Sequence, residues 1–327
     1  MIRIRQASKH YGSFQAVHDL SLDVGEGETM VLLGTSGSGK TTTLKMINLL
    51  IELSAGTIEV AGTDIRQQQP EELRRRMGYV IQGAGLFPHY TVGENVAVVP
   101  RLLGWDKEKI SEHTSQILPL LGLPPENYLH KFPTQLSGGE QQRVGLARAL
   151  VADPPVVLMD EPFGALDPIT RVRIRREFRH LDVLRRKTVV LVTHDVQEAF
   201  ELGHRICVMD QGEAQQIGTP QELLFRPAND FVRRFLQDQR FQLQLQVLSL
   251  REILPYLPPL PPSSPRSPAP PAVAEITSVL EATQLLAGEQ GRGGCLAIQP
   301  EAGGTVFLAG LPEIMTAVDR AIQQLFP

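Results

Sequence analysis

The chain has 327 residues, a formal net charge of −4, 6% aromatic residues and two cysteines. That length leaves room for a sizeable core and more than one domain, while near-balanced charge and few aromatics argue against a general nucleic-acid binder. Cys207 and Cys295 lack metal-like spacing and are expected to be buried or incidental thiols of a reducing compartment.

At the start of the chain, Met1 to Lys9 alternates polar and apolar residues, so no signal peptide is expected there. No run along the chain approaches the ~18 apolar residues of a spanning helix. Ile2 and Ile4 alternate with arginines, and Leu20, Leu22 and Val24 alternate with polar residues, which predicts two strands before the turn at Gly25 and Gly27. Between them Tyr11 is either a plain edge aromatic or a surface on which an adenine ring could stack. Met30 to Leu33 predicts a buried strand, 34–39 a glycine-rich loop, and Lys40 the opening of a helix. The run Gly34-Thr35-Ser36-Gly37-Ser38-Gly39-Lys40-Thr41 fits G-x-x-x-x-G-K-[ST], in which glycines let successive N–H groups turn inward on phosphate oxygens at a helix N-terminus. Lys40 would reach the β- and γ-phosphates and Thr41 would hold Mg²⁺, with Thr42 beside them in the first helical turn.

A short strand is expected over Thr57 to Val60, and the apolar run from Met77 ends in Gln82, whose amide alone reads as an ordinary strand cap. Leu86, Phe87 and Pro88 form either a docking surface or a locally buried loop. Ile117, Leu118 and Leu121 predict a helix over Ser111 to Leu121. Ser137 is a natural N-cap, Glu140 completes a capping box, and Val144, Ala147, Leu150 and Val151 form an apolar stripe ending at Asp153-Pro154-Pro155. Gly138 and Gly139 weaken that helix by about 1 kcal/mol each relative to alanine, so close approach of a ligand or another backbone is expected there.

Pro155 leads into an apolar run ending in Asp160 and Glu161, the pattern of a central parallel strand delivering two acids to the ligand edge of a sheet. Strand alternation should turn them to opposite sides, with Asp160 suited to Mg²⁺ and Glu161 to polarising an attacking water. A second buried strand, Thr188 to Val192, leads to His194, placed to contact a γ-phosphate. The arginine-rich stretch between them reads as a solvated helix face. After Arg251 to Leu254 the proline-rich run PYLPPLPPSSPRSPAPPA predicts an exposed spacer. Beyond it, Val279 to Ala287 reads as a helix, Cys295 to Ile298 and Thr305 to Leu308 as strands, and Pro312 onward as a helix.

Gly34 to Thr41, Gln82, Leu136-Ser137-Gly138-Gly139, Met159-Asp160-Glu161, Ala165-Leu166-Asp167 and His194 stand in the order and spacing of the ATP-binding subunits of ABC transporters. The resemblance covers roughly Met1 to Gln237. It implies an α/β fold, a P-loop NTPase ABC cassette with a RecA-like mixed sheet core, an antiparallel β part and a helical subdomain at about 86–153. The cassette is then expected over 1–238, with a helix and proline-rich linker at 239–272 and a small α+β tail at 273–327 whose order of helix, two strands and helix resembles a single CBS motif. Glu161, His194 and Gln82 would be catalytic. Tyr11, Gly34, Thr35, Ser36, Gly37, Ser38, Gly39, Lys40, Thr41, Thr42, Ser137, Gly138, Gly139 and Asp167 would bind ATP, and Thr41, Gln82 and Asp160 would hold Mg²⁺. The partner implied is a second copy in a head-to-tail dimer, each ATP lying between the P-loop of one subunit and the Ser137-Gly138-Gly139 segment of the other. Glu140 stands where glutamine is more usual, a tolerated variant.

More narrowly, RMGYVIQ, GLFPH, ENVAVVPRLLGW, MDEPFGALDPITR and the run from Gly218 to Phe235 are similar to the ATPases of osmoprotectant importers for glycine betaine, carnitine or choline. This implies transmembrane permease subunits as partners, a solute-binding protein acting indirectly, no nucleic acid, and a peripheral place on the cytoplasmic face of the cell membrane. Gly83-Ala84-Gly85 departs from the family pattern, so an altered loop is expected near the membrane contact. The tails of two subunits would pair and tune transport, or be an appendage without regulatory effect. The alternatives are an importer ATPase for another small solute and a soluble ABC protein acting on nucleic acid or ribosomes. The second is disfavoured by a single cassette without sustained heptads, and a switch GTPase by the lack of an N-K-x-D motif.

Overall fold

Alternation at the N-terminus produces a hairpin. Strands β1 (Ile2–Tyr11) and β2 (Phe14–Val24) pair antiparallel with Ile2 opposite Val24 and Ile4 opposite Leu22, so the apolar residues share the buried face and Arg3, Arg5 and Asp23 the exposed side. With β4 (Ala55–Val60) and β5 (Thr63–Asp64) they form a sheet of order β2-β1-β4-β5. The computed structural model describes residues 1–83, 85–164, 166–179, 181–257, 271–288, 295–299 and 307–325. Ala84, Ala165, most of the proline-rich stretch (258–270) and the start of the second tail strand (305–306) lie outside them.

The chain divides into a unit Met1–Thr219 and a unit Pro220–Pro327. In the first, a six-stranded sheet runs β10-β9-β3-β8-β7-β6, with β3 at Thr29–Gly34, β6 at Met77–Val80, β7 at Val156–Asp160, β8 at Thr188–Thr193, β9 at Arg205–Asp210 and β10 at Glu213–Gly218. All neighbours are parallel except β10, which runs antiparallel to β9. Strands covered on both faces are apolar throughout, and every residue of β7 and β8 is buried. The core joins Met30, Leu32, Leu158 and Val190 to Ile2 and Ile4 of the hairpin and to Leu44 and Ile47 of α1 (Lys40–Ile47).

Helices α2 (Pro70–Arg75), α3 (Val92–Val96), α4 (Val98–Leu102), α5 (Lys107–Leu120), α6 (Pro125–Tyr128) and α7 (Gly138–Leu150) lie on either side of β6 in the chain and precede β7. α8 (Pro168–Arg179) and α9 (Asp182–Arg185) separate β7 from β8, and α10 (Val196–Leu202) follows β8. Because β3, β8, β7 and β6 are consecutive parallel neighbours, their C-terminal ends line one edge of the sheet, where ligands bind in open α/β folds.

The second unit contains α11 (Pro220–Phe225), α12 (Asp230–Phe235), α13 (Arg240–Val247), α14 (Leu250–Ile253), α15 (Val279–Ala287) and α16 (Leu311–Leu325). Its sheet runs β11 (Ala272–Ala274), β12 (Leu296–Gln299), β13 (Phe307–Ala309), the first pair parallel and the second antiparallel. Leu245, Leu248, Leu250, Ile253 and Leu257 share one core with Val279, Leu296, Ile298, Ile314 and Val318. The segment read as linker from 239 therefore packs as part of this unit up to Leu257. A tail of some 55 residues has little core of its own, and these leucines supply what it lacks.

Candidate active site

The phosphate loop follows β3 directly. A Cβ on Gly34 would be driven into the carbonyl oxygen of Met209 on paired β9, so only glycine fits at that strand end. Gly37 and Gly39 take positive φ of 80° and 92°, a region that favours glycine, and Gly39 is the N-cap of α1 without any side-chain cap. The first N–H groups of α1 are thus left for a ligand, and the positive end of its dipole favours an anion. Lys40 curls back over its own loop, donating to Gly34 O at 3.0 Å, Thr35 O at 2.7 Å and Ser38 Oγ at 3.2 Å. All three acceptors are neutral. Burial lowers the Lys40 ammonium below its ordinary value, against the pull of Glu161 and Asp160. Thr35, Ser36 and Gly37 are exposed at the rim, and Thr35 Oγ1 donates to Asp210 at 3.1 Å; Thr42 lies partly buried behind Thr41.

Asp160 is the last residue of β7 and is buried, where it accepts a hydrogen bond from Thr41 Oγ1 at 2.8 Å. Burial raises its carboxyl above the usual carboxylate range; the Thr41 bond opposes that rise and the neighbouring Glu161 charge adds to it. Burial likewise pushes the nearby Tyr79 hydroxyl up to about 12, with Asp160 contributing. Strand alternation is not what separates the two acids: β7 has ended, and Glu161 leaves it at φ 44° with its N–H still held by Val192 O at 2.9 Å. A left-handed conformation is costly for a glutamate, and here it swings the carboxylate between two partners. Gln82 Nε2 donates to Glu161 Oε2 at 3.1 Å, and His194 Nδ1 lies 3.1 Å from Glu161 Oε1. His194 and Gln82 are exposed and Glu161 partly so, which opens this cluster to solvent.

Ser137, Gly138 and Gly139 are placed with the segment after Glu161 rather than within the phosphate loop. Ser137 caps α7 in a capping box with Glu140. A Cβ on Gly139 would lie 3.1 Å from Thr170 Cγ2 and one on Gly138 3.7 Å from Leu166 Cδ2, so the first of the two glycines expected to meet another segment is open and the second is tight. Asp167 is exposed and accepts from Thr170 N at 3.0 Å at the start of α8. Tyr11 stands half-exposed on the β1–β2 hairpin with Lys9 Nζ 5.1 Å from its ring centroid. β2 passes close to the phosphate loop, where a Cβ on Gly39 would meet Ala16 O at 2.5 Å.

Residues 17–164 match the ABC transporter family. The chain is 52% identical over 256 residues to the glycine betaine uptake system ATP-binding protein YehX of Escherichia coli, covering 78% of this chain and 82% of that one. This chain belongs to the ABC transporter ATP-binding proteins. It is an ABC-type ATPase, and its P-loop cassette fold is that of the family. It is also 51% identical over 241 residues to the glycine betaine/carnitine/choline transport ATP-binding protein OpuCA of Bacillus subtilis, covering 73% of this chain and 63% of that one. The sulfate/thiosulfate import ATP-binding protein CysA of Nocardia farcinica is 43% identical over 238 residues, 73% of this chain and 71% of that one. Among solved structures, a dimeric form of the bacterial ABC transporter cassette MJ0796 superimposes with a TM-score of 0.60 at 34% identity, covering 67% of this chain and 98% of that one.

Several residues that shape this ABC ATPase were not legible as functional. Asn95, fully buried, accepts from Phe87 N and donates to the carbonyls of Phe87, Tyr90 and Thr91, fixing the loop that carries Leu86-Phe87-Pro88. Arg148 Nη1 donates to Gly85 O at 2.8 Å, and Gly83 and Gly85 both take positive φ, which accounts for glycine at those two places. The arginine-rich stretch read as a solvated face is not wholly one. Arg175 is buried against Glu201 and Asp195, and Arg171 turns back toward the segment after Glu161. Arg171, Arg173, Arg175, Arg176 and Arg179 fall around much of the helix, so their spacing gives no sign of which face turns inward.

Proposed function

We propose that this ABC ATPase energises the import of quaternary-amine osmoprotectants such as glycine betaine, carnitine or choline. Two copies would act as a head-to-tail dimer at the cytoplasmic face of the cell membrane, beneath separate transmembrane permease subunits that receive solute from a binding protein. The solute class is supported by identities of 52%, 51% and 46% to ATP-binding proteins named for such systems. Among the described residues no helix is long and apolar enough to cross a membrane, which suits a peripheral subunit.

The chemistry is carried by one observation, the Glu161 carboxylate held between Gln82 and His194 beside the phosphate loop. Glu161 takes the proton of the attacking water, His194 contacts the γ-phosphate, and Lys40 with the loop N–H groups holds the β- and γ-phosphates of ATP. Tyr11 stacks on the adenine; Ser137, Gly138, Gly139 and Asp167 meet the nucleotide of the second copy. The residues present also fit a hard divalent cation: a hydroxyl and one carboxylate, Thr41 and Asp160, already within hydrogen-bond distance, to which Gln82, its amide nitrogen on Glu161, would add its amide oxygen. Mg²⁺ bound there would offset phosphate charge.

The test is ATP turnover by the complex of this chain with its permease in vesicles, with binding protein and a panel of solutes. A quaternary amine should raise turnover. Stimulation by sulfate alone would favour the second reading, an importer of another small solute, which the 43% identity to CysA supports. Phe87, half-exposed and packed 5.3 Å from Tyr90, is assigned to permease contact. Phe87→Asp should abolish solute uptake while the isolated subunit hydrolyses ATP as before; normal uptake would remove that surface from the account.

A further inference from the structure

Arg171 stands in the first turn of α8, at the end of a helix where the dipole disfavours a cation. Its guanidinium finds other company. Nε donates to Phe163 O at 3.2 Å, and Nη2 donates to Gly164 O at 3.3 Å and Leu166 O at 3.0 Å. On its far side Nη1 lies 3.9 Å from Asp195 Oδ2. Asp195 directly follows His194, and its other oxygen caps α10 by accepting from Glu198 N at 3.1 Å. The segment held by the three carbonyls is tied in turn to Glu161, whose carbonyl accepts from Gly164 N at 3.1 Å. One cation therefore touches both the stretch that leaves Glu161 and the stretch that carries His194.

We propose that Arg171 is a positioning residue for ATP hydrolysis, clamping the carbonyls of Phe163, Gly164 and Leu166 against Asp195 so that Glu161 and His194 keep their mutual geometry; this rests on the reading of Glu161 as the base. Arginine suits the task because its planar fork presents five donors in fixed directions to three diverging carbonyls. A lysine ammonium on a flexible stem could satisfy one or two of them without fixing the others. Arg175 does not duplicate the clamp. It is buried deeper against Glu201 and Asp195, with Asp195 Oδ2 at 3.8 Å.

Arg171→Ala and Arg171→Lys are compared with Glu161→Gln in the full chain, measuring kcat and KM for ATP and the binding of a fluorescent ATP analogue. A displacement of about 1 Å at the reacting groups lowers turnover by up to ~10²-fold. Arg171→Ala should therefore lose about ten-fold or more in kcat with KM and analogue affinity nearly unchanged, and Arg171→Lys should recover little of it. Wild-type kcat in Arg171→Ala, or full recovery by lysine, overturns the clamp while an inactive Glu161→Gln leaves the base assignment standing. A fully active Glu161→Gln removes the base assignment and the clamp with it. If the alanine variant does not fold, Arg171→Met, which keeps the length of the stem and loses the donors, carries the test: lowered kcat at constant KM supports the clamp, and wild-type kcat rejects it.

Discussion

The two halves of the candidate site are held in different ways. The phosphate-binding half is one continuous stretch, 29–47, whose shape comes from glycines and from Lys40 bonding to its own loop. The hydrolytic half is assembled from Gln82, Glu161 and His194, which reach each other only because β6, β7 and β8 are neighbours in the sheet. A local half can be read from residue order, whereas an assembled half needs the strand order, and it should respond to mutation differently.

The largest pH-independent stability effect is expected where the local half meets the sheet. Gly34→Ala sets a Cβ against the β9 backbone, which cannot yield without parting paired strands, and overpacking of this kind costs about 1–3 kcal/mol. Gly37→Ala meets nothing within 4 Å and carries only the strain of φ 80°, roughly 1–2 kcal/mol. Thermal melts without nucleotide should rank Gly34→Ala below Gly37→Ala, and equal losses would show that the strand end can relax.

A second effect, visible only as a function of pH, is expected behind the assembled half. Burial pushes Glu198 up to about 8 from an ordinary 4.5, and the Asp195 charge adds to the rise. Between those values the folded protein keeps a proton that the unfolded chain has lost, so stability falls as pH rises from 4.5 through about 8. Glu198→Gln should be close to wild type in acid and more stable above pH 8, with Tm higher by roughly 2–4 °C per kcal/mol gained. A Tm difference independent of pH would mean that this carboxyl does not change its charge in that range.

The smallest effect is expected at the departure from the family signature. Glu140 accepts from Tyr128 Oη at 2.7 Å and from Ser137 N at 2.7 Å, and the Tyr128 bond holds its carboxyl below the ordinary value. Glutamine can keep the capping box and let the hydroxyl rotate to accept from its amide, so Glu140→Gln should change stability by less than about 1 kcal/mol. A loss several times larger would show that the charge itself matters there.

The same contrast explains what the residues disclosed. The strand, loop and helix of 29–47, the capping box at Ser137 and the buried strands β7 and β8 follow from local pattern and appear at nearly the expected limits. The assignment of Glu161 and Asp160 to opposite sides rested on alternation, but the separation comes from a left-handed residue that no periodicity announces. Arg171 and Asn95 act through backbone carbonyls of the loops that lead into their own helices, contacts that depend on how those loops fold back rather than on any residue pattern. In the second unit, elements of the tail were legible, but the leucines before the proline-rich stretch gave no sign that they complete its core.

The hydrolytic half turns on Glu161 as the base for water attack on ATP. Single-turnover hydrolysis by Glu161→Gln, measured beside binding of the same nucleotide, tests it most directly. Loss of a positioned base costs ~10²–10⁴-fold, so the rate should fall by that factor with ATP still bound at wild-type affinity. Hydrolysis at the wild-type rate would contradict it.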